Sequence, residues 1–244
     1  MNKRESISIM FPFLNDWGTV GSLVALAVET AKKFSDDWEV VIVNDGSRKE
    51  DREALGLIVG NNTRIRIIDH EKNRGYGGAI RRGFAAARKD LIFYTDCDAQ
   101  YDPRELAVLW KSFDSAQDKD KVGMVNGYKI KRSDPWHRII AGRVYHYLVR
   151  TAFGLPIRDT DCDFRLIRRK VFAKVKLFEN TGTICVELVK KIDHAGYKIV
   201  EVPVHHFWRT SGKSQFFNFQ RLYKTGVNLL RLWWKLMVRT DYYS

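Results

Sequence analysis

The sequence predicts an α/β domain with a mostly parallel central sheet flanked by helices, and three observations lead there. Short apolar, strand-like runs alternate with segments of helical period through the first part of the chain. Each run stops abruptly at a polar cluster. No internal repeat, linker or low-complexity tract interrupts the 244 residues, a length that one domain can fill.

Residues 7–11 and 39–43 read as strands, and between them Val20, Leu23, Val24, Ala27, Val28 and Ala31 recur on one helical face. Residues 64–68 give a third strand. A helix over 76–88, with Ala79, Ile80, Gly83, Phe84 and Ala87 on one side, leads to a fourth strand at 91–95. Right-handed crossovers gather such a βαβα series into a parallel sheet. A helix over 103–113, a polar turn over 114–121 and a strand over 122–128 follow. Beyond Trp136 the pattern gives a helix to Phe153, a loop through Asp163, a helix over 184–194 and a strand over 198–202.

In an open sheet of this kind ligands bind beyond the carboxyl ends of the strands. Four polar clusters occupy those places: Leu14-Asn15-Asp16, Asn44-Asp45-Gly46-Ser47, Asp69-His70-Glu71 and Asp96-Cys97-Asp98-Ala99-Gln100. Asp96 and Asp98 are spaced to share one face or one turn. Two carboxylates held together repel unless a positive charge compensates them, which suits Mg²⁺ or Mn²⁺ shared with a diphosphate, with Gln100 in support. The same residues also suit a turn leading to a helix capped by Asp102 ahead of Pro103. Asp45, Gly46 and Ser47 offer an acceptor for a base or ribose, a permissive backbone and a hydroxyl, or simply a turn. Asn73-Arg74-Gly75-Tyr76-Gly77-Gly78 before a helix can admit phosphate closely or serve as a tight connection; it is neither GxGxxG nor a Walker A loop. Phe93 and Tyr94 read as packing residues.

The formal charge is +13, from 42 Lys and Arg against 29 Asp and Glu. Between His137 and Lys176 ten basic residues face three Asp, so the excess lies toward the C-terminal half. Such a balance attracts anionic membranes and polyanions. Nucleic acid is disfavoured, because no reading helix, zinc pattern or RNA-binding motif accompanies the charge. Cys97, Cys162 and Cys185 lack CxxC spacing, which points to reduced surroundings rather than a disulfide scaffold. The opening residues are too briefly apolar for a signal segment, and no run reaches the ~18 apolar residues of a membrane span. His205 and His206 fall on opposite sides of an extended chain and do not form a zinc pair.

Arg165, after Asp159-Thr160-Asp161-Cys162-Asp163-Phe164, can pair with phosphate or with the neighbouring carboxylates. Arg138 and Arg143 on the helix before it are weaker candidates of the same kind. Arg209-Thr210-Ser211-Gly212-Lys213-Ser214 places cations beside hydroxyls and a glycine, as in a phosphate-closing loop or an exposed turn. From 216 to 238, Phe219, Leu222, Tyr223, Gly226, Leu230, Trp233 and Met237 follow a helical period among Arg221, Lys224, Arg231 and Lys235. That suits a helix lying on an anionic bilayer, or one covering the core.

In order, Pro12, Asn15-Asp16, Asp45-Gly46-Ser47, Asn73 through Gly78, Asp96 through Gln100, Asp161 through Arg165 and Arg209 through Ser214 resemble family 2 inverting glycosyltransferases of the GT-A fold. Within that family they resemble particularly the polyprenyl-phosphate (dolichyl-phosphate) hexosyltransferase branch. It implies a GT-A catalytic domain over 1–214 and an amphipathic appendage over 215–244. Pro12, Asn15, Asp16, Asp45, Gly46, Ser47, Asn73, Gly75 and Gly78 would bind the nucleotide sugar. Asp96, Asp98 and Gln100 would organise the metal, and Asp98, Arg165, Arg209 and Lys213 would act in catalysis. The implied substrates are a nucleoside diphosphate hexose and polyprenyl phosphate, met at the cytoplasmic face of a membrane, with a membrane protein as a further docking partner. Relatives commonly read Ser-Gly-Phe-Arg where this chain has Cys162-Asp163-Phe164-Arg165, so Asp163 departs from the pattern. Because an acceptor phosphate is already anionic, neither Asp161 nor Asp163 is needed as a base.

Overall fold

The computed structural model describes residues 5–132, 136–208 and 219–242. Its seven strands form one sheet in the order β3-β2-β1-β4-β6-β5-β7. The first half is the expected series: β1 (Ile7–Phe13), α1 (Trp17–Ala31), β2 (Trp38–Asn44), α2 (Lys49–Val59), β3 (Ile65–Asp69), α3 (Tyr76–Ala86) and β4 (Leu91–Thr95). β3, β2, β1 and β4 are parallel neighbours. A short 3₁₀ turn at Pro103–Glu105 then leads to α4 (Leu106–Asp114) and β5 (Val122–Arg132). α5 (Trp136–Phe153), β6 (Phe164–Arg168), α6 (Ile184–His194) and β7 (Lys198–His206) complete the sheet and its cover.

Successive side chains of a strand point to opposite faces, and the central strands β1, β2 and β4 are covered on both, while the edge strands β3 and β7 are partly exposed. Ile7, Ile9, Phe11, Val40, Ile42, Leu91 and Phe93 pack with α1 and α4. Met10, Val41, Val43, Ile92 and Tyr94 pack with α3 and α6 on the other face. Buried on both sides, these strands read as continuous apolar runs rather than alternating ones.

β6 departs from the sequence reading, which left this stretch without a strand. It runs antiparallel to both β4 and β5, inserted between them. The sheet is therefore mostly parallel with one reversed strand among the described residues, and β6 carries Arg165 into its centre.

α7 (Phe219–Trp233) continues as a π-helical turn over Trp234–Val238. Leu232 and Leu236 are fully buried in the core, and the Trp233 indole donates to the Ala152 carbonyl of α5 at 2.9 Å. Tyr223, Leu230, Trp234 and Val238 face outward. The helix thus covers the core with one side and presents an apolar, basic face with the other.

Candidate functional site

The carboxyl ends of β1, β2, β3 and β4 meet at one edge of the sheet. Phe13 lies opposite Asn44, and Asn44 opposite Asp69. Hydrogen bonds then knit the loops. The Asn15 amide donates to Ser47 Oγ at 3.1 Å, and the Arg48 amide returns a bond to Asn15 Oδ1 at 3.0 Å. Asn44 Nδ2 reaches Asp69 Oδ1 at 2.7 Å. Asp45 is buried, and its Oδ1 takes the Arg74 amide at 2.9 Å and contacts His70 Nδ1 at 2.7 Å. Gly46 has φ 72°, and a Cβ there would lie 2.6 Å from the Asn73 nitrogen. Only glycine permits that close crossing of the 72–74 segment. Asn15, Asp45, Gly46, Ser47 and Asn73 therefore form one wall, with Pro12 buried behind them in β1.

The wall reaches the β4 end through Thr19, whose hydroxyl donates to the carbonyls of Asp16 and Cys97. Asp16 precedes α1, and its carbonyl receives the Thr19 and Val20 amides. Burial, followed by the charges of Asp96, Asp16 and Asp98, pushes the Cys97 thiol well above its ordinary range.

Asp98 is buried and accepts the Gln100 amide at 3.0 Å. The turn between them places Ala99 at φ 59°, a left-handed conformation that a side chain adopts at a cost of about 1–2 kcal/mol. Gln100 is anchored to the end of β7: its carbonyl accepts the Phe207 amide at 2.8 Å and its Nε2 donates to the Phe207 carbonyl at 3.3 Å. Asp102 is the cap anticipated from sequence, accepting the Arg104 amide at 2.9 Å. Turn, cap and carboxylate pair therefore coexist, each on its own residues.

Among the described residues no group of three or more His, Cys, Asp or Glu closes around a cation position. Asp96 and Asp98 supply oxygen donors without imidazole or thiolate, a set that fits Mg²⁺ or Mn²⁺ completed by ligand and water oxygens.

The 73–78 loop is held from behind. The Gly77 amide donates to the Asn180 carbonyl at 3.0 Å, and Arg81 Nη1 reaches the Phe178 carbonyl and Asn180 Oδ1, each at 2.9 Å. Gly75, at φ 85°, and Gly77 both pass against the 179–180 backbone, while Gly78 lies over Arg74. Between this loop and the 175–180 segment runs a basic groove of about 470 Å³, bordered by His70, Arg74, Arg82 and Lys176.

A second polar layer lies under Asp96, and sequence reasoning missed it. The Tyr76 hydroxyl donates to Asp96 Oδ1 at 2.7 Å and touches the Tyr94 hydroxyl, which donates to Asp163 Oδ1 at 2.8 Å. Burial, then the charges of Asp163 and Asp96, hold both phenols well above their ordinary range. Arg165 stands opposite Tyr94 in the β4–β6 register and has no exposed surface. Its Nε and Nη2 donate to the carbonyls of Cys162 and Thr160 at 3.0 and 2.6 Å, while Nη1 is buried without a hydrogen-bond partner. Nearby, burial raises the Asp161 carboxyl to about 6, against the opposing charge of Lys129. Arg143 is exposed on α5. The side chain of Arg138, and Arg209 and Lys213 entirely, lie outside the described residues.

The family model described as glycosyl transferase family 2 matches residues 8–176. The chain is 29% identical over 237 residues to glycosyltransferase AglD of Haloferax volcanii, covering 96% of this chain and 38% of that protein. It is 29% identical over 235 residues to the undecaprenyl-phosphate 4-deoxy-4-formamido-L-arabinose transferase of an Enterobacter species, covering 94% and 68%. Among solved structures, glucosyl-3-phosphoglycerate synthase of Mycobacterium tuberculosis bound to phosphoglyceric acid superposes with a TM-score of 0.71 at 16% identity, covering 95% of this chain and 79% of that one. The same synthase bound to Mn²⁺, uridine diphosphate and glucosyl-3-phosphoglycerate gives a TM-score of 0.66 over 96% and 80%, again at 16% identity. At that identity the likeness speaks for the fold, which is GT-A-like.

Proposed function

The chain belongs to glycosyl transferase family 2, and on that footing we propose that it transfers a hexosyl unit from a nucleoside diphosphate sugar to polyprenyl phosphate, with inversion at the sugar carbon. The observation that carries the donor half is the joining of the Asn15–Asp45–Ser47 wall to Asp96 and Asp98 at one sheet edge. The wall would seat base and ribose, and the 73–78 loop with Arg74 would face the phosphates. Asp96 and Asp98 would hold Mn²⁺ or Mg²⁺, as supported by the Mn²⁺ and uridine diphosphate in the similar synthase. When bound, such a cation neutralises charge on the departing diphosphate.

The acceptor is read from two supports. The Enterobacter relative is named for undecaprenyl phosphate. The outward face of α7 and its π-helical turn adds exposed Leu230 and Trp234 beside exposed Arg231, a composition suited to an anionic bilayer surface. Among the described residues no helix is long and apolar enough to cross a membrane. In the proposed reading the outward face of α7 lies on the bilayer, at its cytoplasmic side. In this reading residues 1–214 form the catalytic unit and 215–244 the membrane-facing appendage, with Arg209 and Lys213 meeting phosphate. A phosphate oxygen attacks without help from a protein base, so the chain's task is orientation and charge compensation.

Purified protein is incubated with GDP-mannose or UDP-glucose, polyprenyl phosphate and Mn²⁺ or Mg²⁺, and products are weighed by mass spectrometry. A glycosyl lipid is expected with one donor. Transfer to a soluble sugar or protein in its place would reject the acceptor assignment.

A further inference from the structure

We propose that Tyr76 and Tyr94 form a hydroxyl bridge that orients Asp96 for its cation and couples it to Asp163, which precedes the neighbouring strand β6. This rests on the donor reading above and adds to it two positioning residues and a line of communication.

The bridge is built from separate elements. Tyr76 is the first residue of α3, fixed by Gly75 before it and by the Gly77 bond to Asn180. Tyr94 is fully buried in β4, its ring edge-on to Phe84 at 5.8 Å. The two hydroxyls touch, and their two hydrogens serve three contacts: with Tyr94 donating to Tyr76 the Tyr76 hydrogen goes to Asp96, and with Tyr76 donating to Tyr94 the Tyr94 hydrogen goes to Asp163. Asp163 Oδ1 is in turn fixed by the Cys185 thiol at 3.2 Å and lies 3.7 Å from Arg165 Nη2. A hydrogen bond to a carboxylate in a water-poor site is stronger and more directional than one at the surface. Asp96 is thereby held in one orientation by groups that reach back to α6 and β6. A shift of the 159–165 segment, for instance on meeting an anionic acceptor, would pass to Asp96 through rigid aromatic rings rather than through a flexible loop.

The test reads Mn²⁺ binding directly. The free-Mn²⁺ electron paramagnetic resonance signal is followed at fixed GDP or UDP, with and without protein, for wild type, Asp98→Asn, Tyr76→Phe, Tyr94→Phe, Asp163→Asn and the Tyr94→Phe/Asp163→Asn double variant. Loss of one bond to a charged group predicts about tenfold weaker Mn²⁺ binding for Tyr76→Phe. Asp163→Asn should weaken Mn²⁺ binding in the wild-type background and add nothing once Tyr94 is Phe. A role in packing alone would lower the melting temperature of the Phe variants and leave Mn²⁺ binding within twofold of wild type. That result, alongside loss of binding in Asp98→Asn, overturns the bridge and leaves the donor reading intact. Additive effects of Tyr94→Phe and Asp163→Asn overturn the coupling. A folded wild type that takes up no Mn²⁺ with either nucleotide overturns the donor reading, and the bridge's role with it.

Discussion

Replacing Glu187 by Gln should cost this protein a large share of its stability although the residue touches no expected substrate. Glu187 and Lys191 are buried one turn apart on α6, with Nζ 3.2 Å from Oε1. The carboxylate also accepts the Phe178 amide at 3.0 Å and the Glu179 amide at 2.9 Å, while Lys191 donates to the Lys176 carbonyl at 2.5 Å. The pair therefore clamps the 176–180 segment against which Gly75 and Gly77 rest. Burial raises the Glu187 carboxyl and lowers the Lys191 ammonium in spite of their mutual attraction, so the pair is held at a desolvation cost. In Glu187→Gln the amide oxygen can serve Phe178 and Glu179, which turns the NH₂ toward a buried ammonium. Breaking one partner of such a pair costs about 3–5 kcal/mol, and for a domain of this size about 2–4 °C per kcal/mol lowers the melting temperature by about 6–20 °C. Glu187→Gln/Lys191→Met removes the stranded charge and should recover most of the loss. Calorimetry or urea denaturation measures both. A single variant within about 1 kcal/mol of wild type, or a double variant no better than the single, would refute the reasoning.

Three further outcomes follow from the same geometry. A Cβ at Gly77 would meet the Glu179 carbonyl oxygen at 2.5 Å, so Gly77→Ala should cost about 1–3 kcal/mol by overpacking and raise the donor KM, read by denaturation and initial rates; an unchanged KM would show that the loop does not face the donor. Asp161, raised by burial to about 6 in the folded chain from an unfolded value near 4, contributes stability below about pH 4 that is lost as pH climbs through about 6. Asp161→Asn should therefore match wild type at low pH and exceed it at pH 8 by on the order of 2–3 kcal/mol, and a pH-independent difference in urea midpoints would contradict this. Leu230 is 69% exposed on α7, so Leu230→Glu should reduce co-sedimentation with phosphatidylglycerol vesicles while changing stability by less than about 0.5 kcal/mol; unaltered sedimentation would leave the helix without a membrane role.

The first half of the fold was legible because β1, β2 and β4 are buried on both faces and each strand there ends in a sudden polar cluster. Leu91 through Thr95 announces its extent and the polar edge after it, while the first strand, read over 7–11, runs on through Pro12 to Phe13. β6 gave no such signal. In its five residues, Phe164-Arg165-Leu166-Ile167-Arg168, two charges break the apolar run, and Arg165 reads as pairing with phosphate or with its neighbouring carboxylates, yet both arginines are buried in the sheet. Arg165 holds two carbonyls, and Arg168 pairs with Glu5 at 2.6 Å and lies over the Phe113 ring. Those partners are distant or backbone, so sequence pattern cannot supply them.

The site divides along the same line. Asn15, Asp45, Ser47, Asp96 and Asp98 stand at strand ends, and topology alone brings them together. The layer beneath them arises from packing between α3, β4, β6 and α6. Tyr94 reads correctly as a core residue, but its hydroxyl contact with Tyr76 depends on how close α3 approaches the sheet. Asp163 appears in sequence as a neighbouring carboxylate of Arg165 and a departure from the family pattern, and the structure adds its contacts with Tyr94 and Cys185. For α7, a single period satisfied both alternatives, since one face enters the core and the other is exposed.

Crystals soaked with Mn²⁺ and the nucleoside diphosphate that binds, measured at the manganese absorption edge, locate the cation by its anomalous scattering. The account predicts one strong peak within coordination distance of Asp96 or Asp98 and of the diphosphate oxygens, with the base against the Asp45 wall, and loss of that peak in Asp98→Asn. A nucleotide bound with its diphosphate and cation away from both aspartates would contradict it.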